Sequence, residues 1–224
     1  MDESRALQRA GQAGAASVVL LVAGVALCAS AGVDDPSLSD AAIVDRVDDG
    51  VRQTAAGIGL VVLAAGIALL LWFTVGLRRV LDRLSGGDPL AHAIVPAAVL
   101  FGGLMITGVS LDVSSAVAAL SDEFTPDPDT ARVLGMAGAV VALTGLTGGA
   151  VLVAATTRIA QQARALPTWA VWVSYAVAVL CLTGFWSGGM ASVAFALWLI
   201  GAAVALLRTA RRPTSAPTAT TSSP

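Results

Sequence analysis

Lysine is absent from this 224-residue chain, so all 13 basic side chains are arginine. With the abundance of Ala and Gly this reads as a high-GC bacterial coding bias and carries no mechanism. Charge of either sign is also scarce. Asp, Glu, Lys and Arg make up 12% of the residues, where a soluble domain carries about 25%. Together with 56% hydrophobic residues and a mean hydropathy of +0.81, this excludes a mainly water-facing surface and points to lipid as the solvent. Cysteine is limited to Cys28 and Cys181, both inside apolar runs where a free thiol behaves as a small hydrophobe. A disulfide framework is excluded. His92, the only histidine, has no second His or Cys at ligand spacing and makes no convincing metal site.

The motifs of common chemistry are missing too. There is no HExxH, Gly-x-Ser-x-Gly or Cys-x-x-Cys, and Gly145-Leu146-Thr147-Gly148-Gly149 lies mid-run with no strand before it, so it is no phosphate loop. The acids Asp122, Glu123, Asp127 and Asp129 lack the glycine turn and terminal Glu of a calcium loop. No Asp, Glu or Arg stands inside an apolar run away from its ends. A charge at the bilayer centre costs about 2.5–3.5 kcal/mol on insertion scales, so its absence speaks against an ion-coupled transporter. These absences lead us to expect no catalytic residue, no cofactor, no nucleic-acid partner and no enzyme.

What the chain does have is a run from Val133 to Thr156 whose small residues, Gly135, Gly138, Ala142, Gly145 and Gly149, recur at alternating three- and four-residue spacing. That places them on one helix face, where missing side chains let a neighbouring backbone approach. Apolar runs long enough to cross ~30 Å of hydrocarbon predict six spans, at about 15–33, 54–77, 91–111, 133–156, 169–186 and 190–207. Gly57, Gly59 and Gly66 give the second span a small-residue face of its own. Trp72, Phe73, Trp169, Trp172 and Trp186 stand at span ends, where indole and phenyl rings suit the water interface. The expected fold is an all-α membrane bundle in one domain over 15–208, preceded by a polar segment 1–14 and followed by a disordered tail 209–224 rich in Pro, Ser and Thr.

The first acidic connection, 34–53, holds Asp34, Asp35, Asp40, Asp45, Asp48 and Asp49, with Ile43, Val47 and Val51 at four-residue spacing. A short amphipathic helix that lies on the membrane or caps the bundle is predicted there. The second, 112–132, contains Pro126 and Pro128, and Asp129 or Thr130 is expected to cap the fourth span. Ser85-Gly86-Gly87-Asp88-Pro89 and Ser187-Gly188-Gly189 read as turns. Span, acidic connection and span recur from the first and the third runs as a faint repeat.

Ten arginines fall on the side of the termini and three on the other, while eleven of the fifteen acids take the opposite side. The positive-inside bias then puts both termini in the cytoplasm of a cell-membrane protein. A rival reading of the start is a signal peptide, with an apolar centre at 18–28 and Ala29-Ser30-Ala31 as a cleavage site.

The nearest thing to a functional side chain is Asp112, at the outer end of the third span with Thr107, Ser110, Ser114 and Ser115 nearby. It reads as an interfacial carboxylate that marks the helix end, or as a carboxylate at the mouth of an outward cavity. Arg78, Arg79 and Arg83 set topology, with anionic lipid headgroups as the alternative. The expected function is a non-enzymatic accessory or sensing membrane protein that acts through lipid or protein partners. The alternative is a small permease lined by Thr107, Ser110, Thr144, Thr147, Ser174 and Thr183.

The segments Arg164-Ala165-Leu166-Pro167-Thr168-Trp169 and Leu197-Trp198-Leu199, the latter in a last span that ends in arginines, resemble a family of six-span actinobacterial membrane proteins of unknown function. Its members often carry Leu-Pro-x-Trp at that cytoplasmic turn and similar Trp and Leu placement in the last helix. The resemblance covers about the final third of the chain. It implies six spans with both ends inside and brings no catalytic residue.

Overall fold

Residues 3–33, 37–121, 127–187 and 189–210 are described in the computed structural model. Asp34, Asp35, Asp122, Glu123, Pro126, Gly188 and residues 211–224 lie outside them, while the first two residues of the expected tail, 209 and 210, end the last helix. Among the described residues all regular structure is helical. In chain order the helices are α1 (Glu3–Ala29), α2 (Asp40–Asp48), α3 (Gly50–Ser85), a 3-10 turn (Pro89–Ala93), α4 (Ile94–Asp112), α5 (Ser114–Ala118), α6 (Pro128–Gln162), α7 (Thr168–Leu182), α8 (Gly184–Ser187) and α9 (Gly189–Ala210).

Five of these stretches, within α1, α3, the 3-10 turn with α4, α6 and α9, are long and apolar enough to cross a membrane. Their composition makes this a helical bundle of the membrane type. At ~1.5 Å per residue the 36-residue α3 and 35-residue α6 are ~54 and ~52 Å long, well beyond ~30 Å of hydrocarbon. Helix α7 has only 15 residues, because the chain breaks at Thr183 and restarts as α8. The fifth expected span is therefore two helical pieces rather than one rod.

Helix ends follow local chemistry. Asp49 caps α3 by accepting from the Val51 and Arg52 N–H groups. Gly86, at φ +64°, ends α3 in the left-handed conformation, and its N–H returns to the Asp82 carbonyl. The cap of α6 is Asp127 rather than Asp129 or Thr130, because Pro128 takes the first turn and Asp127 accepts from the Thr130 N–H. Helix α1 begins at Glu3, inside the stretch expected to be a polar lead-in, and buries Ala10, Gly11, Ala13 and Gly14.

The two most extensively packed helix pairs are α1 with α3 and α4 with α6. On α1 the buried positions Ala10, Gly14, Ser17, Leu21, Gly24 and Cys28 repeat at alternating four- and three-residue spacing, and Ala56, Gly59, Leu63, Gly66, Leu70 and Phe73 answer on α3. A Cβ on Gly24 would lie 2.7 Å from the Leu63 amide nitrogen. Phe73, expected at the water interface, is instead fully buried against Gly14, while Trp72 faces outward. Gly57 meets nothing within 4 Å and is no part of this seam.

Helix α4 crosses the small-residue face of α6. A Cβ on Gly148 would lie 2.6 Å from the Ala97 carbonyl oxygen and the Phe101 amide nitrogen, and one on Gly145 would lie 3.2 Å from the Phe101 carbonyl oxygen. Gly138 meets the Asp112 backbone, and Ala142 meets Gly108. Gly149 turns toward α9, where the Phe195 ring fills the space. Gly135 is buried.

Over one end of the bundle lies α2. Ile43 and Val47 are fully buried in a small second core with Val33 and Ala131. Val51 is 80% exposed, because Asp49 interrupts α2 and starts a new helix whose phase turns that side chain outward. Arg132 fastens the cap from α6, donating to the Leu38 carbonyl at 3.0 Å and pairing with Asp40 at 2.8 Å.

Candidate functional site

Among the described residues, Arg46, Arg52 and Arg132 share one end of the bundle with Asp40, Asp45, Asp48, Asp49, Asp112, Asp127 and Asp129, here called the acidic end, and Arg5, Arg9, Arg78, Arg79, Arg83, Arg158, Arg164 and Arg208 lie toward the basic end. At the basic end α1 and α9 touch closely: a Cβ on Gly11 would be 2.7 Å from Leu207 Cγ. Toward the acidic end the same two helices part, and a cleft of about 870 Å³ opens among α1, α4, α6 and α9. Val22 and Val25 of α1 and Val193 and Leu197 of α9 line it while remaining exposed, so it opens sideways, toward what surrounds the bundle. Phe101 and Phe195, with ring centroids 4.8 Å apart, form its inner wall.

Asp112 is the single charged residue among those lining the cleft. Its carboxylate accepts from the Val33 N–H at 3.1 Å and lies against Gly32, while Arg46 donates to the Gly32 carbonyl at 2.8 Å. The side chain thus ties the end of α4 to the segment leaving α1 and also borders the cleft. Ser192 of α9 is the one hydroxyl-bearing residue in the lining.

The hydroxyls considered for a permease path do not converge. Thr144 donates to the Val140 carbonyl, Thr147 to Thr144 and Thr183 to Val179 and Leu180, all on their own helices. Ser174 accepts from the Trp198 indole N–H at 3.1 Å, joining α7 to α9. Neither they nor Thr107 and Ser110 line the cleft. Ser114 donates to the Leu111 carbonyl, and Ser115 is buried.

The other candidates are dispersed. His92 is exposed in the 3-10 turn. Cys28 and Cys181 are buried free thiols on α1 and α7, and Cys28 donates to the Ala56 carbonyl at 3.7 Å. Among the described residues no three His, Cys, Asp or Glu side chains gather as a metal site would need. Arg78 is 3.5 Å from Asp82 one turn on, and Arg79 is exposed. At the acidic end, hydrogen bonds from the Thr130 hydroxyl and then the Thr130 N–H hold the Asp127 carboxyl below the ordinary carboxylate range.

Sequence reasoning missed the lining of α9. Gly189, Ser192 and Ala196 recur at the same three- and four-residue spacing as the α6 ridge, but here they line the cleft. The chain matches no family model, no curated protein and no solved structure. The cleft's chemistry is therefore read from its own geometry: a mostly apolar, laterally open space with one carboxylate at its rim.

Proposed function

We propose that this is a non-enzymatic six-span protein of the cell membrane, with both termini in the cytoplasm, that works as an accessory or sensing component by holding an acyl-chain amphiphile in the cleft. The span that completes the six, the fifth in chain order, is α7 followed by α8, whose 15 and 4 residues together approach the ~20 that a crossing needs. The resemblance carried by Leu166-Pro167-Thr168-Trp169 and the arginine asymmetry support the same threading.

The observation that carries the binding reading is the cleft itself. Its volume, about 870 Å³, lies within the ~300–1,000 Å³ of ordinary ligand pockets. Apolar spaces of this kind do not hold water well, and this one opens where lipid tails would lie. Asp112 at the rim, and the net negative charge of that end, favour a neutral or cationic headgroup over an anionic one.

Purification from native membranes in mild detergent, followed by native mass spectrometry, tests this. We expect an amphiphile on the wild type and its loss in Ser192→Trp, which fills the cleft from an exposed position. Equal occupancy in both proteins would sink the reading. The threading is tested separately by labelling Asp45→Cys in intact cells: reagent that cannot cross the membrane should reach it, and protection would reverse the orientation.

A further inference from the structure

We infer that the protein carries a second lipid site at its basic end, a groove between the 3-10 turn, α6 and α7 that takes an anionic phospholipid with its phosphate on Arg158. The inference rests on the bilayer placement proposed above. The groove measures about 380 Å³ and is lined by Leu90, Ala93, Val151, Ala154 and Ala155, with Arg158 and Tyr175 as its polar members. Its surface is therefore a strip of hydrocarbon contact that ends in a guanidinium, the polarity order of a phospholipid read from tail to phosphate.

Three features select the occupant. Arg158 is exposed and in no ion pair among the described residues, so its charge is available to a ligand. Tyr175 spends its hydroxyl proton on Gln161 Oε1 at 3.2 Å, which leaves Arg158 as the donor for an anion. The surrounding end of the bundle is net positive, which draws anionic rather than zwitterionic headgroups. The guanidinium fork matches two phosphate oxygens at once, where a single ammonium would not. The Arg78, Arg79 and Arg83 cluster adjoins neither cavity and offers no comparable hydrocarbon groove.

The test is native mass spectrometry of the full-length protein in detergent, with phosphatidylglycerol, phosphatidylcholine or glycerol phosphate added in turn. Phosphatidylglycerol should be retained in preference to phosphatidylcholine, and glycerol phosphate should not displace it. Arg158→Gln should reduce retention about fivefold, the effect of one basic residue at an anionic surface. Val151→Trp, which fills the groove from an exposed position and keeps the arginine, should reduce it as well, whereas Arg79→Gln should leave it unchanged. Unaltered retention in Arg158→Gln, equal retention of phosphatidylcholine, or displacement by glycerol phosphate overturns the site. Loss in Arg158→Gln with none in Val151→Trp overturns the groove in favour of surface charge alone. Threading does not enter a measurement in detergent, so failure here and reversal of the orientation are distinguishable.

Discussion

Between the two ends of the bundle, α1 and α9 use the same kind of residue to opposite effect. At the basic end Gly11 lets α9 come so close that a Cβ there would meet Leu207 and the Ala203 carbonyl. At the acidic end Ala26 and Ala29 on α1 and Gly189, Ser192 and Ala196 on α9 border open space, and a Cβ on Gly189 would meet nothing within 4 Å. Small residues permit close approach without enforcing it. What decides is where the facing helix lies: α9 meets α1 at Gly11 and leaves the cleft between them farther along.

The strongest way to break this contrast is to strike where convergence is complete. Gly148→Leu would drive a side chain into the Ala97 and Phe101 backbone, atoms that no rotamer change can move. Overpacking costs about 1–3 kcal/mol and occasionally more, and with backbone as the obstacle the upper end is expected. The thermal transition in detergent should fall sharply or the protein should fail to accumulate. Gly57→Leu, where nothing lies within 4 Å, should melt with the wild type or slightly above it, since leucine is the better helix former. Matching losses in the two variants would mean that the α4–α6 seam is no closer than the lipid-facing surface.

Next in size is the rim of the cleft. Asp112→Ala removes the acceptor for the Val33 N–H, a partly buried charge-assisted bond whose loss costs about 1.5–3 kcal/mol. Asp112→Asn keeps an acceptor and should cost less. If the carboxylate also serves the bound amphiphile, Asp112→Asn should alter the melting shift that an added cationic amphiphile produces in the wild type. An unaltered shift confines Asp112 to its structural role.

Much of this architecture was legible in the chain. Apolar length and scarce charge point to the helical bundle, and Ile43 with Val47 predict the amphipathic cap, whose two apolar side chains the structure buries completely. Where the structure departs from the sequence pattern, the cause is local phase or partner choice. Val51 keeps the four-residue period in sequence, but Asp49 restarts the helix and the period no longer maps to one face. Phe73 carries the composition of an interfacial aromatic, yet Gly14, in a stretch that looked like a polar lead-in, makes the hole it fills. The cleft was hidden for a related reason. The spacing of Gly189, Ser192 and Ala196 is that of a packing ridge, and spacing on one helix does not reveal where the facing helix goes.

The smallest expected effect sharpens the comparison by chemistry rather than bulk, since the acidic end adds exposed polar bonds to its small buried core. Asp127, the cap of α6, has its carboxyl held below the ordinary range by the Thr130 hydroxyl and N–H. A carboxyl whose folded pKa is depressed adds stability that is complete above the unfolded value of about 3.9 and is lost as pH falls through the folded value. Acidification below about pH 4 should therefore loosen the start of α6 before it touches the Gly11 contact. Hydrogen exchange should show this as faster exchange near Ala131 with the amides around Gly14 still protected. Asp127→Asn keeps a capping side chain but cannot titrate, so it should flatten the pH dependence at α6. Equal acid sensitivity at both ends would mean that the Asp127 cap does not set the acid response of α6.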